Sequence, residues 1–216
     1  MLVVGDAICR AVQQKLGVPT AELDRLRRER TTSLVRLHDS PGAVAMALLS
    51  KTLYTPAHPY GRATSAASLT AITTEDVKRF YQTYWTPGNT TAVVVGDITV
   101  DVAKSLLESA LGSWKAGAAA GTTVNAAPQV QGRRILIVDK PGAAQSVMVL
   151  GRIGAARSSA DYFPLEVMNT ILGGSFTSRL NQNLREKHGY AYGASSGFSY
   201  LPAAGPWVAA SAVQTQ

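Results

Sequence analysis

The sequence predicts an α+β fold organised in two consecutive parts. Three observations lead there. Helix-period apolar runs opened by polar caps alternate with short β-branched runs closed by glycine or proline. The stretch from Lys115 to Gln131 is rich in Ala, Gly and Thr, has no hydrophobic period and carries Pro128, so it reads as a linker. Beyond it a strand–turn–strand–helix order starts afresh.

Thr20 is a good N-cap for a helix from about Ala21 to Leu37, with Glu22 and Asp24 in its favourable first turn and an apolar stripe of Leu23, Leu26, Leu34 and Leu37. Ser40 as cap and Pro41 at the first helical position open a second helix, which carries Val44, Met46, Leu48 and Leu49 towards Tyr54. Two prolines and a glycine make Thr55–Gly61 a loop. Thr73 and Asp76 set up a capping box for a helix through Val77, Phe80, Tyr81 and Tyr84. Pro87-Gly88-Asn89 is a turn, and Thr91–Val95 reads as a buried strand ended by Gly96-Asp97. A further helix runs from Asp101 to about Leu111, with Val102, Leu106 and Leu107 facing inward. In the second part Arg134–Val138 and Ser146–Leu150 are strands, with a turn at Lys140-Pro141-Gly142. Asp161 opens a helix that reaches Leu172 and is closed by Gly173 and Gly174. A helix over Ser178–Lys187 follows, then strand-like runs around Tyr190–Tyr200 and Trp207–Val213.

With 46% hydrophobic and 16% charged residues in 216, the chain has a globular composition, which excludes extended disorder. Part of its net charge of +7 gathers in Arg25, Arg27, Arg28, Arg30 and Arg36. Such a cluster can suit nucleic acid, but no aromatics interleave with it and the leucine stripe is separate, so it reads as a solvated helix face. The single cysteine, Cys9, excludes an intrachain disulfide and a cysteine-based zinc knuckle. No apolar run approaches the roughly 20 residues that span a bilayer. Met1–Asp6 has no basic region or cleavage site, and both ends read as cut, so the chain reads as a fragment.

The most informative stretch lies between Gly173 and Gly193. Its helix ends in a basic cluster beside aromatics, and Arg185 and Tyr192 lie seven residues apart across the helix end. One can sit on the last turn and the other on the next strand, with both tips on one spot. The alternative is an Arg185 that caps the helix C-terminus and a Tyr192 packed in the core. Arg179 and Tyr190 are the rival arginine and tyrosine. Elsewhere the signals are weak. Gly96 after a strand lacks a glycine-rich fingerprint or P-loop lysine. Ser195-Ser196-Gly197 lacks the nucleophile-elbow pattern, and Asp139 and Asp161 have no acid/base companion.

Taken in order, several landmarks resemble the insulinase/pitrilysin (inverzincin) family of zinc peptidases. They are His58-Pro59-Tyr60-Gly61-Arg62, Ile72 to Val77 with Phe80-Tyr81, Pro87-Gly88-Asn89 leading to Val93–Asp97, and Leu111-Gly112-Ser113-Trp114. The strongest runs from Leu172-Gly173-Gly174 through Ser178-Arg179-Leu180 to Leu184-Arg185-Glu186 and Gly189-Tyr190-Ala191-Tyr192. The resemblance implies paired α/β-roll domains with antiparallel sheets packed on helices, facing each other across a chamber. Residues 1–114 would then be the later part of one domain, 115–133 a linker, and 134–216 the earlier part of the next.

Family chemistry needs a His-x-x-Glu-His helix, whose histidines hold zinc while the glutamate polarises the bound water. None of His38, His58 or His188 fits that spacing. Aligning Glu29 with the family's first acidic residue puts Arg36 at the third-ligand position, and a cation cannot coordinate zinc. The other alignment makes Glu29 itself the ligand. The resemblance thus implies a zinc-free, substrate-binding half, not active alone, that works with a zinc-bearing catalytic half in the same longer chain or in a heterodimer. It also implies that Arg185 and Tyr192 reach the peptide substrate across the chamber. No cofactor, nucleic acid or membrane span is expected in this chain. A structural or assembly subunit of the same fold is the alternative. The compartment stays open, although tandem members of this type are frequently exported from the bacterial cytoplasm.

Overall fold

Capping chemistry sets most helix starts. In the computed structural model, which describes residues 19–115, 117, 120–121, 123–128 and 130–214, Thr73 and Asp76 form a full capping box. The Thr73 hydroxyl accepts from the Asp76 N–H, and the Asp76 carboxylate accepts from Thr73 in return. These bonds, with Arg79 beside them, hold the Asp76 carboxyl below its ordinary value. Ser40 and Thr99 cap their helices in the same way, each accepting from the N–H three residues on. The segment Met1–Asp6 and Cys9 lie outside the described residues.

The helices of the first part are α1 (Thr20–Leu37), α2 (Pro41–Tyr54), α3 (Ala66–Ala71), α4 (Thr74–Tyr84) and α5 (Val100–Leu111). Single 3₁₀ turns occupy Pro59–Gly61 and Pro87–Asn89. The second part holds β1 (Gln145–Ile153), α6 (Tyr162–Asn169), α7 (Arg179–Asn181), β2 (Ala191–Phe198) and β3 (Pro206–Gln214). Both α6 and α7 run on as π-helical turns, over Thr170–Gly174 and Gln182–Lys187. The described residues group into two compact units. One joins those before Thr31 to the stretch from Ala66 to Thr122; the other joins Thr31–Ser65 to the stretch that begins at Thr123.

In the first of these units the arginine cluster is tied down locally. Arg25 pairs with Glu22 and Glu29, while Arg27 pairs with Asp24 and donates to the Leu69 and Ile72 carbonyls. Arg27 therefore holds α3 and its C-terminal end to α1. Apolar burial is slight here. Leu26, Phe80, Val102 and Leu106 are exposed, against the inward-facing reading of Val102 and Leu106. Thr91–Val95 forms no strand, and Val93 and Val95 are exposed. An apolar β-branched run favours extended backbone, but a strand needs a neighbour to pair with, and none of the described strands pairs with it.

The second unit is an α+β layer. Its antiparallel sheet has the order β1-β3-β2, with Arg152, Trp207 and Phe198 in one cross-strand row. Helix α2 packs on β1. The buried apolar side chains among the described residues all lie here: Leu53, Tyr54, Ala191 and Ala194. Arg134–Val138, expected as a strand, carries no sheet pairing and is exposed along its length. It too lacks a described partner strand.

His58-Pro59-Tyr60-Gly61 proves to be an aromatic knot. The buried His58 ring stacks on Tyr54 at 5.2 Å and meets Tyr60 edge-on at 4.8 Å. Its Nδ1 accepts from the Tyr60 N–H, so Nε2 carries the proton and donates to the Asn125 carbonyl at 3.1 Å. The Tyr54 hydroxyl donates to the Ala204 carbonyl, and the Tyr60 hydroxyl accepts from the Ala203 N–H. The motif thus fastens α2 to the β2–β3 connection.

Burial, with Tyr60 adding to it, pushes the Tyr54 hydroxyl up from 10.0 to about 12. The folded state holds that proton more tightly than the unfolded one. The stability it represents is complete below the ordinary tyrosine value and lost as pH rises from about 10 to about 12. Tyr54→Phe should cost about 0.5–1.5 kcal/mol at neutral pH through the lost bond to Ala204. It should also flatten the alkaline fall in melting temperature, measured by circular dichroism between neutral and strongly alkaline pH.

Candidate functional site

Gly173 lets the helical layer close on the sheet. A Cβ there would lie 2.4 Å from the Ser196 hydroxyl and 2.6 Å from its backbone nitrogen. Neither Gly173 nor Gly174 has a positive φ, so the pair does not end the helix as a left-handed cap. The helix passes through both in its π-helical turn, and close packing on β2 is what requires the small residue. Two asparagines then lock helix to strand. Asn169 donates to the Ser196 carbonyl at 3.0 Å, and its Oδ1 accepts from the Ser196 hydroxyl and the Trp207 indole. Ser196 is thereby a structural hydroxyl. Asn181 donates to Ser175 and Ser178, and its Oδ1 accepts from the Ala194 N–H at 2.9 Å.

That last bond sits at an irregularity in β2. Ala191 pairs with Val213 and Ala194 with Ser211, so three steps along β2 oppose two along β3. One extra residue is therefore inserted, which makes a β-bulge at Tyr192-Gly193. By simple alternation Tyr192 would share the buried side of Ala194. The bulge turns it out instead, leaving Tyr192 88% exposed between two buried alanines. The displaced backbone is satisfied on both sides, because Asn181 takes the Ala194 N–H and the Ser211 hydroxyl donates to the Gly193 carbonyl.

Arg185 lies one turn beyond Asn181, within the π-helical segment that Gly189 ends at φ 63°. Its guanidinium carbon is 5.2 Å from the Tyr192 ring centroid and 4.4 Å from that of Phe176. Among the described residues its one ion pair is a 3.5 Å contact from Nε to Glu186. The guanidinium is directed at these two rings, and the Arg185 carbonyl is met by the Gly189 N–H. Arg185 and Tyr192 thus converge, as their spacing suggests, and Tyr192 is not core. They line a cavity of about 280 Å³ with Phe176, Asn181, Ala194 and Ser195. Here a fixed cation and a phenol face an open, mostly apolar hollow, an arrangement able to donate hydrogen bonds to a carbonyl or carboxylate.

The rival residues lie elsewhere. Arg179 borders a larger apolar groove of about 820 Å³ along α6, beside Phe163, Val167 and Ile171. That groove is larger but offers no second polar group to its arginine. Tyr190 stacks on His188 at 5.0 Å.

The described residues do not fit a zinc site. No group of three or more His, Cys, Asp or Glu side chains comes together among them. Both nitrogens of His58 are committed, and Glu29 is paired with Arg25.

Residues 71–216 match the family profile described as the peptidase M16 inactive domain. The chain belongs to the peptidase M16 (insulinase) family. An uncharacterised zinc protease of Streptomyces coelicolor is 28% identical to it over 201 residues, covering 87% of this chain and 42% of that protein. The crystal structure of a peptidase M16 inactive domain from Pseudomonas fluorescens matches with a TM-score of 0.82 at 28% identity, over 91% of this chain and 47% of the other. A protease from Helicobacter pylori shares the fold at a TM-score of 0.84 and 23% identity, over 93% and 49%. The chain therefore spans less than half the length of each of these three proteins.

Phe176, Asn181 and the bulge are not singled out by the sequence reading. Signals exist for two of the three: a glycine inside a strand run, Gly193, for the bulge, and an asparagine within a helix for Asn181. Asn181→Ala should leave the buried Ala194 N–H unpaired and cost about 1–3 kcal/mol, read as a lower denaturation midpoint. Asn181→Asp keeps the acceptor but sets a buried carboxylate oxygen against the Ser175 carbonyl, so it should not restore the lost stability.

Proposed function

We propose that this M16 chain is the zinc-free, substrate-binding half of an insulinase-type peptidase. It supports peptide hydrolysis by a catalytic half located elsewhere, in the same longer chain or in a partner subunit. Residues 1–114 are the later part of one family domain, 115–133 the linker, and 134–216 the earlier part of the next. The observation that carries this reading is the placement of the Arg185 guanidinium against Tyr192 at the rim of an open cavity. Arg185 and Tyr192 contact the peptide substrate, and their donors hold the scissile carbonyl as negative charge develops on it. A peptide bound in extended form adds to a sheet edge, the common way for such sheets to take a strand. Zinc is expected in the catalytic half.

The test is turnover of a peptide by the complete protein, or by this chain together with its catalytic half. Arg185→Ala should lower kcat on the order of 10²-fold, the usual cost of one lost oxyanion donor. Tyr192→Phe removes one donor as well and should also lower it on the order of 10²-fold. Unchanged turnover in both variants would leave the structural or assembly role as the better reading.

A further inference from the structure

We propose that Phe176 is a positioning residue for Arg185: its ring clamps the guanidinium in the orientation that the substrate meets. This rests on the reading of Arg185 as a substrate contact. Phe176 is 69% exposed, so it does not serve the core. Its ring nevertheless lies under the Arg185 guanidinium carbon at 4.4 Å, closer than the Tyr192 ring at 5.2 Å. No described carboxylate grips that guanidinium bidentately; the Glu186 contact reaches only Nε. Arginine needs a partner to stay in one rotamer, and an aromatic face provides one while leaving the in-plane N–H donors open.

The backbone that carries Phe176 is itself pinned. The Ser175 hydroxyl donates to the Thr170 carbonyl, and the Ser175 carbonyl accepts from the Ser178 N–H and from the Asn181 amide. Asn181 therefore ties together the Phe176 loop, the turn before Arg185 and the bulge that turns out Tyr192. Two rings and one cation are set by one amide. A carboxylate clamp would neutralise the guanidinium and compete with substrate oxygens, whereas the quadrupole of a ring leaves the positive charge available.

The experiment uses the complete protein or the complex with its catalytic half, with Phe176→Leu, Phe176→Trp, Arg185→Ala and the Phe176→Leu/Arg185→Ala double variant. Phe176→Leu should lower kcat/KM by about three- to tenfold, mostly in kcat, with an unchanged melting temperature because the ring is exposed. Phe176→Trp should retain activity, and Phe176→Leu should add nothing in the Arg185→Ala background. In NMR spectra, Arg185 side-chain protons should be shifted upfield by the two rings, and Phe176→Leu should remove the larger part of that shift, leaving the part due to Tyr192. Wild-type turnover in Phe176→Leu while Arg185→Ala is impaired would overturn the clamp alone. So would a Phe176→Leu loss that persists without Arg185. No effect of Arg185→Ala would instead remove the underlying reading, and the clamp with it.

Discussion

The bond from the Ala194 N–H to the Asn181 side chain is the constraint on which the candidate site depends. A β-bulge leaves backbone groups that the ladder cannot satisfy, and a buried unpaired N–H costs about 1–3 kcal/mol, more than a made hydrogen bond contributes net. Asn181 meets that need from the helix, and Ser211 meets its counterpart from β3. With both in place the strand can carry one extra residue. That residue shifts Tyr192 from the core side of β2 to the open side, where Arg185 already points.

A second economy lies in how the cation is held. Arg185 is flanked by rings and meets the Glu186 carboxylate only through Nε, whereas Arg25, Arg27 and Arg79 each engage carboxylates on their own helices through their terminal nitrogens. Exposed ion pairs of the latter kind contribute little and occupy those terminal donors. Arg185 keeps its terminal N–H donors clear of Glu186. Both π-helical turns fall beside this site, one before Phe176 and one containing Arg185. Such turns are rare and concentrate where side chains must be re-aimed for function.

Much of this was legible in the residues. Caps at Ser40, Thr73 and Thr99 depend on side chains within three positions, so local sequence suffices to find them. The pairing of Arg185 with Tyr192 was readable because a helix end and the next strand are close in sequence. Tyr192's exposure was not, since alternation alone would bury it beside Ala194, and only the bulge reverses that. The apolar runs at Val93–Val95 and Ile135–Val138 fail as strands for a different reason: pairing is a property of two segments, and one segment cannot reveal its partner. The inward faces assigned to Val102 and Leu106 fail likewise, because periodicity marks an apolar face without naming what covers it.

Arg185 and Tyr192 are held within an M16 fold, and their proposed contact with substrate can be seen directly in a structure of the complete protein, or of this chain with the proposed catalytic half, holding an uncleaved peptide. An Arg185 guanidinium nitrogen and the Tyr192 hydroxyl should then lie within hydrogen-bond distance of one peptide carbonyl. A fully ordered peptide that neither side chain touches would contradict it.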